Sequence, residues 1–247
     1  SSVLDQTYKN FEIIVIDDGS TDNTKDLLGP YIKRKEIRYI YQKNKKPPAA
    51  RNTGIKNSKG ELIAILDSDD LWMPDKLKKQ VPLFNDNNVG VVYGDRLKWN
   101  VLSNKSIGTP YFNKFSRGYI FDKLFDNTKS FLPHSSLVIR KSCLDKIILC
   151  DDDSVYSENP ALETTEDYHL LLRITHKFKA DFVPEILVKK RIHNENESKN
   201  KINNIMATIV TIKDISNKLN VPEYKLKYNL SKYYMSIGYN YRKTNKL

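Results

Sequence analysis

Five short groups of residues carry side chains that could do chemistry together. Asp17 ends the apolar run FEIIVID with Asp18 beside it, and Asp67-Ser68-Asp69-Asp70 follows the run LIAIL. Carboxylates so placed are hard oxygen ligands that suit Mn²⁺ or Mg²⁺. One at a strand end can also accept a hydrogen bond from a neutral N–H, such as the edge of a nucleobase. Arg51, in AARN, offers a planar fork that can grip a diphosphate or a sugar hydroxyl. Glu166-Asp167 opens a segment with helical apolar spacing, and a neighbouring carboxylate raises a carboxyl's pKa in the direction a general base needs. His193 closes RIH, two residues after Arg191. Each group also has a plainer reading. The acids could cap or start helices, Asp70 could close the turn before Trp72, Arg51 could make a surface ion pair, and a lone histidine is commonly a core or surface residue.

The elements that must position these groups follow from hydrophobic spacing. Ser2–Tyr8 resembles the end of a helix. Phe11–Asp17 is short, apolar and β-branched, as a buried parallel strand is. Asp18-Gly19-Ser20 makes a turn, and Ser20 or Thr21 can cap a helix over Asn23–Lys33. Strands are expected at Ile37–Tyr41, Leu62–Leu66 and Val89–Tyr93. A loop and short helix fill Pro47–Asn57, and a helix opened by Pro74 runs to Asn87. This alternation predicts an α/β domain with a mainly parallel sheet, whose ligands sit beyond the carboxyl ends of the strands. Two acidic clusters on one rim repel unless something positive lies between them, which argues for a metal or a polar ligand. Further along, Ser135–Ile139 and Phe182–Val188 are expected strands, Glu166–Lys177 is an amphipathic helix, and the chain is helical from about Lys199.

Composition narrows the class. With 39% hydrophobic and 29% charged residues the chain suits a globular fold with a real core, and no run approaches the 18 apolar residues of a membrane span. Cys143 and Cys150 supply neither a disulfide framework nor a zinc set, and fit two reduced thiols in a cytoplasmic protein. The net charge of +11 permits contact with a membrane surface, but no recognition helix, zinc finger or aromatic–basic RNA signature accompanies it, so no nucleic-acid partner is expected.

The segments SVLDQTYKNFEIIVIDDGSTDNT, AARNTGI, GELIAILDSDDLW, TEDYHLLLR and RIHNENES, in this order and spacing, resemble family 2 glycosyltransferases over residues 2–198. The resemblance implies a GT-A, Rossmann-like fold and inverting transfer from a nucleotide-sugar, a UDP-sugar above others. It assigns nucleobase contact to Asp18, with Asp17 on the ribose or the turn, and donor binding to Arg51. Asp67-Ser68-Asp69 resembles the DXD element, with Asp69 on the metal and Asp67 on the ribose or a metal-bound water. Asp167 becomes the base, with Glu166 orienting it or touching acceptor. His193 sits near the metal or diphosphate beside Arg191. Outside the resemblance, His134, in FLPHSS, could touch acceptor. An EF-hand loop counted from Asp67 would need glycine where Trp72 stands.

The resemblance also carries departures. Family members begin with an apolar strand and turn ahead of SVLxQTY, whereas this sequence starts inside the following helix. The expectation is therefore a glycosyltransferase domain over 1–198 lacking its first, central strand, with two strand edges left unpaired, and an incomplete helical segment over 199–247. ILCDDD stands where the family carries G-x-F-D-E. The acceptor implied is a glycan or lipid-linked glycan, used at the inner face of the membrane. A non-catalytic nucleotide-sugar-binding module is the alternative.

Overall fold

The computed structural model describes residues 2–100, 105–107, 115–126, 132–147, 160–162, 164–192 and 201–244. The β-branched run forms strand β1 (Ile14–Asp18), which pairs in parallel with β2 (Arg38–Gln42) through helix α1 (Thr24–Lys33). Asn23, rather than Ser20 or Thr21, holds the N-cap position, and Asp22 accepts the Thr24 N–H at 3.0 Å. Helix α2 (Lys46–Asn57) has prolines in its first turn, where no amide donor is needed.

The second sheet has six strands in the order β3-β7-β5-β8-β4, with β6 on the free side of β5. Its members are β3 (Leu62–Ala64), β4 (Leu71–Trp72), β5 (Val89–Asn100), β6 (Lys105–Ile107), β7 (Val138–Arg140) and β8 (Lys179–Ile192). Only β5 and β8 run parallel; β3–β7, β5–β7, β5–β6 and β4–β8 are antiparallel. The sheet is thus more mixed than the βα alternation of the first residues suggests. That alternation stops at β3: the chain passes from β3 to β4 with no helix between, and β5 meets both β6 and β7 antiparallel.

Among the described residues the two sheets share no strand pairing. A slot lies between them, lined on one side by Ile13 to Ile16 and on the other by Leu62 to Leu66. Gln6, fully buried, donates to the Met73 carbonyl at 2.8 Å and accepts the Leu77 N–H at 3.1 Å. It ties the turns at Ser2–Asp5 to helix α3 (Lys76–Gln80). The helix expected over Pro74–Asn87 is shorter, because Pro82 follows and the chain continues as a 3₁₀ turn, Val81–Asn85.

The core lies on both faces of the large sheet. Val91, Tyr93, Leu137 and Ile139 pack against helix α6 (Glu166–Lys177), and Val92, Val138 and Val188 pack with Trp72 and Leu77. Short helices α4 (Phe121–Asp126) and α5 (Lys141–Leu144) close one end. The helical C-terminal part forms α7 (Lys201–Leu219) and α8 (Glu223–Thr244), and Ile209, Ile212, Ile215 and Tyr233 join the α6 side of the core. Cys143 is free and buried; Cys150 lies outside the described residues. Among the described residues no helix is long and apolar enough to cross a membrane.

Candidate active site

The acids at the end of β1 divide the work. Asp17 is buried, accepts the Ser20 N–H at 2.8 Å and accepts the Tyr39 hydroxyl. The Tyr39 bond outweighs burial and holds the Asp17 carboxyl below its ordinary range, while the tyrosine is pushed up to about 12. With both oxygens bound internally, Asp17 fixes the turn. Gly19 completes it at φ +83°, where an added Cβ would stand 2.8 Å from the Asn44 nitrogen. Asp18 lines the cleft. Its Oδ1 accepts Gln42 Nε2 at 2.6 Å and the Lys45 N–H at 3.0 Å, which leaves Oδ2 for a further donor.

Arg51 is the hinge of the site. It stands on the second turn of α2, donates Nη2 to Asp67 Oδ1 at 3.1 Å, and donates Nη1 to Glu166 Oε1. One guanidinium therefore joins the loop after β3 to the start of α6. Asp67 also lies 3.4 Å from His134 Nδ1. Burial opposes its ionisation, but His134 and Arg51 together prevail and hold its carboxyl well below the usual range. Glu166 is shifted the other way, upward, by burial and by the charge of Asp167, which exceed the opposing pull of Arg51. Asp167 is half-buried on the cleft wall, with Oδ1 accepting the Tyr168 N–H at 2.7 Å.

Asp70 holds the acidic loop in place. It is buried, its Oδ2 accepts the Ser135 hydroxyl at 2.6 Å, and its Oδ1 accepts the Arg191 N–H at 3.2 Å. Burial raises its carboxyl. Trp72 donates its indole N–H to the Ser135 carbonyl at 2.8 Å and lies 4.1 Å beneath the buried Lys76 Nζ. With Asp70 and Trp72 anchored, Asp67, Ser68 and Asp69 are presented to the cleft.

The structure brings Asp18, Arg51, Asp67, Asp69, Glu166 and Asp167 to one cleft. It puts Asp17 behind the turn. Arg191 contributes its backbone, and its neighbours Lys190 and Ile192 line the cleft. His193 lies outside the described residues. Among the described residues no group of three or more His, Cys, Asp or Glu side chains converges as a metal cage. Two hard carboxylates on a fixed loop still fit a divalent ion that takes its remaining ligands from a phosphate ligand and water. Sequence reasoning missed Tyr39, Gln42 and Ser135, and the place of His134 beside Asp67. The polar triplet His134-Ser135-Ser136 after Leu132-Pro133 was the available signal.

Comparison with known proteins gives the family and the fold. The model of "Glycosyl transferase family 2" matches residues 1–148. An uncharacterised glycosyltransferase of Rickettsia typhi is 33% identical over 210 residues, 83% of this chain and 62% of the relative. The Escherichia coli UDP-Glc:α-D-GlcNAc-diphosphoundecaprenol β-1,3-glucosyltransferase is 38% identical over 107 residues, 43% of this chain and 41% of the enzyme. The chain thus spans less than two thirds of the length of these relatives. Among solved structures, Staphylococcus aureus TarS 1–349 with UDP-GlcNAc superposes with a TM-score of 0.67 at 16% identity, covering 93% of this chain and 66% of that one. A Pyrobaculum calidifontis mannosyltransferase with GDP-Man and Mn²⁺ gives 0.65 at 15% identity, covering 94% and 63%. At that identity the two structures speak for the fold.

Proposed function

The chain belongs to glycosyl transferase family 2, and we propose that it is an inverting transferase moving a sugar from a UDP-sugar to a hydroxyl of a glycan or lipid-linked glycan. One observation carries this reading: the Arg51 guanidinium binds Asp67 and Glu166 at once, so the acidic loop and the Asp167 carboxylate face a common cleft.

In this reading Asp18 Oδ2 accepts the base N–H, and Asp67 and Arg51 hold the ribose and diphosphate. Asp69 and Asp67 would hold Mn²⁺ or Mg²⁺, and a divalent ion offsets the charge that builds on a departing diphosphate. Asp167 takes the proton of the acceptor hydroxyl as its oxygen bonds to the anomeric carbon. The bond from that carbon to the diphosphate oxygen breaks on the opposite face, which inverts the centre. Arg51 stays beside the leaving group and, bound to Glu166, sets a positive charge next to the carboxylate that neighbours Asp167. His193 is proposed to complete the diphosphate side, whereas Arg191 serves through its backbone N–H to Asp70. The enzyme works at the cytoplasmic face of a membrane, where its net charge of +11 favours anionic lipid. The coli relative's lipid-linked acceptor supports that placement.

The slot between the two sheets favours a second reading, a nucleotide-sugar-binding module without turnover, because it lies along the strand that carries Asp18. One experiment separates the two. UDP release is followed over a panel of nucleotide-sugars with and without Mn²⁺. Transfer requires Mn²⁺-dependent release that Asp69→Ala abolishes, and that Asp167→Asn abolishes while UDP binding persists. Binding of UDP with no release from any donor and acceptor would sink the transferase reading.

A further inference from the structure

The start of helix α6 is fastened to helix α7 by two polar contacts set in an apolar interface. Thr165 and Thr211 bring their hydroxyls to 2.8 Å, and both residues are buried. One turn further along α6, His169 Nε2 lies 2.7 Å from Asp214 Oδ2, and Lys218 Nζ lies 3.1 Å from the same oxygen. Around them Leu170, Ile174, Ile209, Ile212 and Ile215 are buried in one cluster. A carboxylate only accepts, so His169 donates from Nε2. Burial holds its imidazole below the usual range, against the pull of Asp214, so the contact joins a neutral donor to a carboxylate.

Apolar packing alone would hold the two helices together, so the polar contacts need another reason. A buried hydroxyl or imidazole gains little net stability from its partner, and it is costly when the partner is out of reach. One sliding step of α6 along α7 would strand the hydroxyls, the imidazole and the carboxylate at once, so these contacts select a register. Thr165 shows the same preference. It stands at the N-cap of α6, where its hydroxyl could take one of the helix's free N–H groups, yet it makes no cap bond. The hydroxyl meets Thr211 and lies 3.5 Å from the Leu162 carbonyl instead. Residues 165 and 169 flank Asp167. His169 lies two residues past it, about 200° round the helix, so α6 is clamped on one side and presents Asp167 to the cleft from the other.

We propose that Thr211 and Asp214 are positioning residues of the transfer reaction: through Thr165 and His169 they fix the height of α6 at which Asp167 meets the acceptor hydroxyl. This rests on the transferase reading and adds α7 to its machinery. Both helices lie past residues 1–148, which the family model matches, and α7 reaches the cleft itself through Asn204, Ile205 and Thr208. The distance between a base and its proton is what such a clamp controls, and a misplacement of about 1 Å can cost about a hundredfold in rate.

The test follows UDP release by the full chain with Mn²⁺, counting active sites by UDP binding. Thr211→Val keeps the shape of the side chain and removes the hydroxyl; Thr165 keeps the Leu162 carbonyl, so the protein still folds. We expect kcat per UDP-binding site to fall about tenfold or more, while donor KM and UDP Kd change less than about twofold. Thr211→Ser should restore kcat. Asp214→Asn, whose Oδ1 still accepts the His169 N–H, should stay closer to wild type than Asp214→Ala. A crystal structure of Thr211→Val should show the first turn of α6 displaced against β5. A contact that only stabilises would lower Tm and leave kcat per UDP-binding site unchanged, and that result would overturn the inference. So would an equal loss in Thr211→Ser, or a UDP affinity that falls in step with kcat. If the wild-type protein releases no UDP with any donor and acceptor, the transferase reading fails on its own. The crystal structures then decide whether Thr211 sets the place of Asp167, and an unmoved Asp167 would overturn the inference in that case too.

Discussion

The β1–α1–β2 lobe and the β5–β8–α6 body face each other across one cleft and are built on different terms. In the lobe, Ile14, Val15 and Ile16 are only half-buried, and α1 buries no side chain at all. In the body, every residue of β5 from Val89 to Asp95 is buried, as are nine residues of α6. The lobe is held instead by polar bonds: Tyr39 to Asp17, Gln42 to Asp18, and Arg38 to Glu12 at 2.8 Å. Rigid apolar packing thus backs the acidic loop and Asp167, whereas the side that carries Asp18 depends on hydrogen bonds. Local stability follows buried apolar contact, so the lobe is the part that opens first.

Core truncation gives the largest expected contrast. Leu172 is fully buried in the body, and Leu172→Ala should cost ~2–5 kcal/mol in a denaturant titration. Ile14→Ala in the half-buried strand should cost about half as much or less. Equal losses would remove the distinction between the regions. Next comes the residue that joins them. Arg51→Met leaves Glu166 without its partner, and the unfolding free energy should fall by roughly 1–3 kcal/mol. Glu166→Gln in the same background should recover part of that loss, because the stranded charge is gone. A smaller effect is kinetic: native-state amide exchange at Val15 and Ile16 should exceed that at Val91 and Val92, and UDP with Mn²⁺ should narrow the gap. Matching protection in the ligand-free protein would show that the polar bonds hold β1 as firmly as packing holds β5.

The same contrast governs what could be read from the sequence. Acids that end apolar runs announced themselves, as did the helix from Glu166 to Lys177, because strand ends and helix starts leave local signatures. Tyr39 to Asp17 and His134 to Asp67 did not, since their partners lie 22 and 67 residues apart and nothing local marks them. The strand expected to end at Tyr93 continues to Asn100 because GDRLKWN carries too little apolar alternation to be seen as a strand. It is the parallel pairing with β8 that holds it.

The smallest effect concerns pH, and it tests whether the Arg51 junction is shared as the geometry implies. Asp67 is held below its ordinary value of 3.8, so its contribution to stability is present above that value and is lost as pH falls towards its folded pKa. Glu166 is raised above 4.5, so the folded state keeps its proton longer than the unfolded chain does. Its contribution is present below 4.5 and is lost as pH rises through the folded value. The two slopes oppose each other, and stability as far as this junction sets it should peak near pH 4 to 4.5. Asp67→Asn should flatten the acid side of that profile and Glu166→Gln the alkaline side. In Arg51→Met the loss above pH 4.5 should steepen, because the cation that favours the Glu166 carboxylate is gone. A profile that Arg51→Met leaves unchanged would mean that the guanidinium serves one carboxylate only, and that lobe and body are not coupled through it.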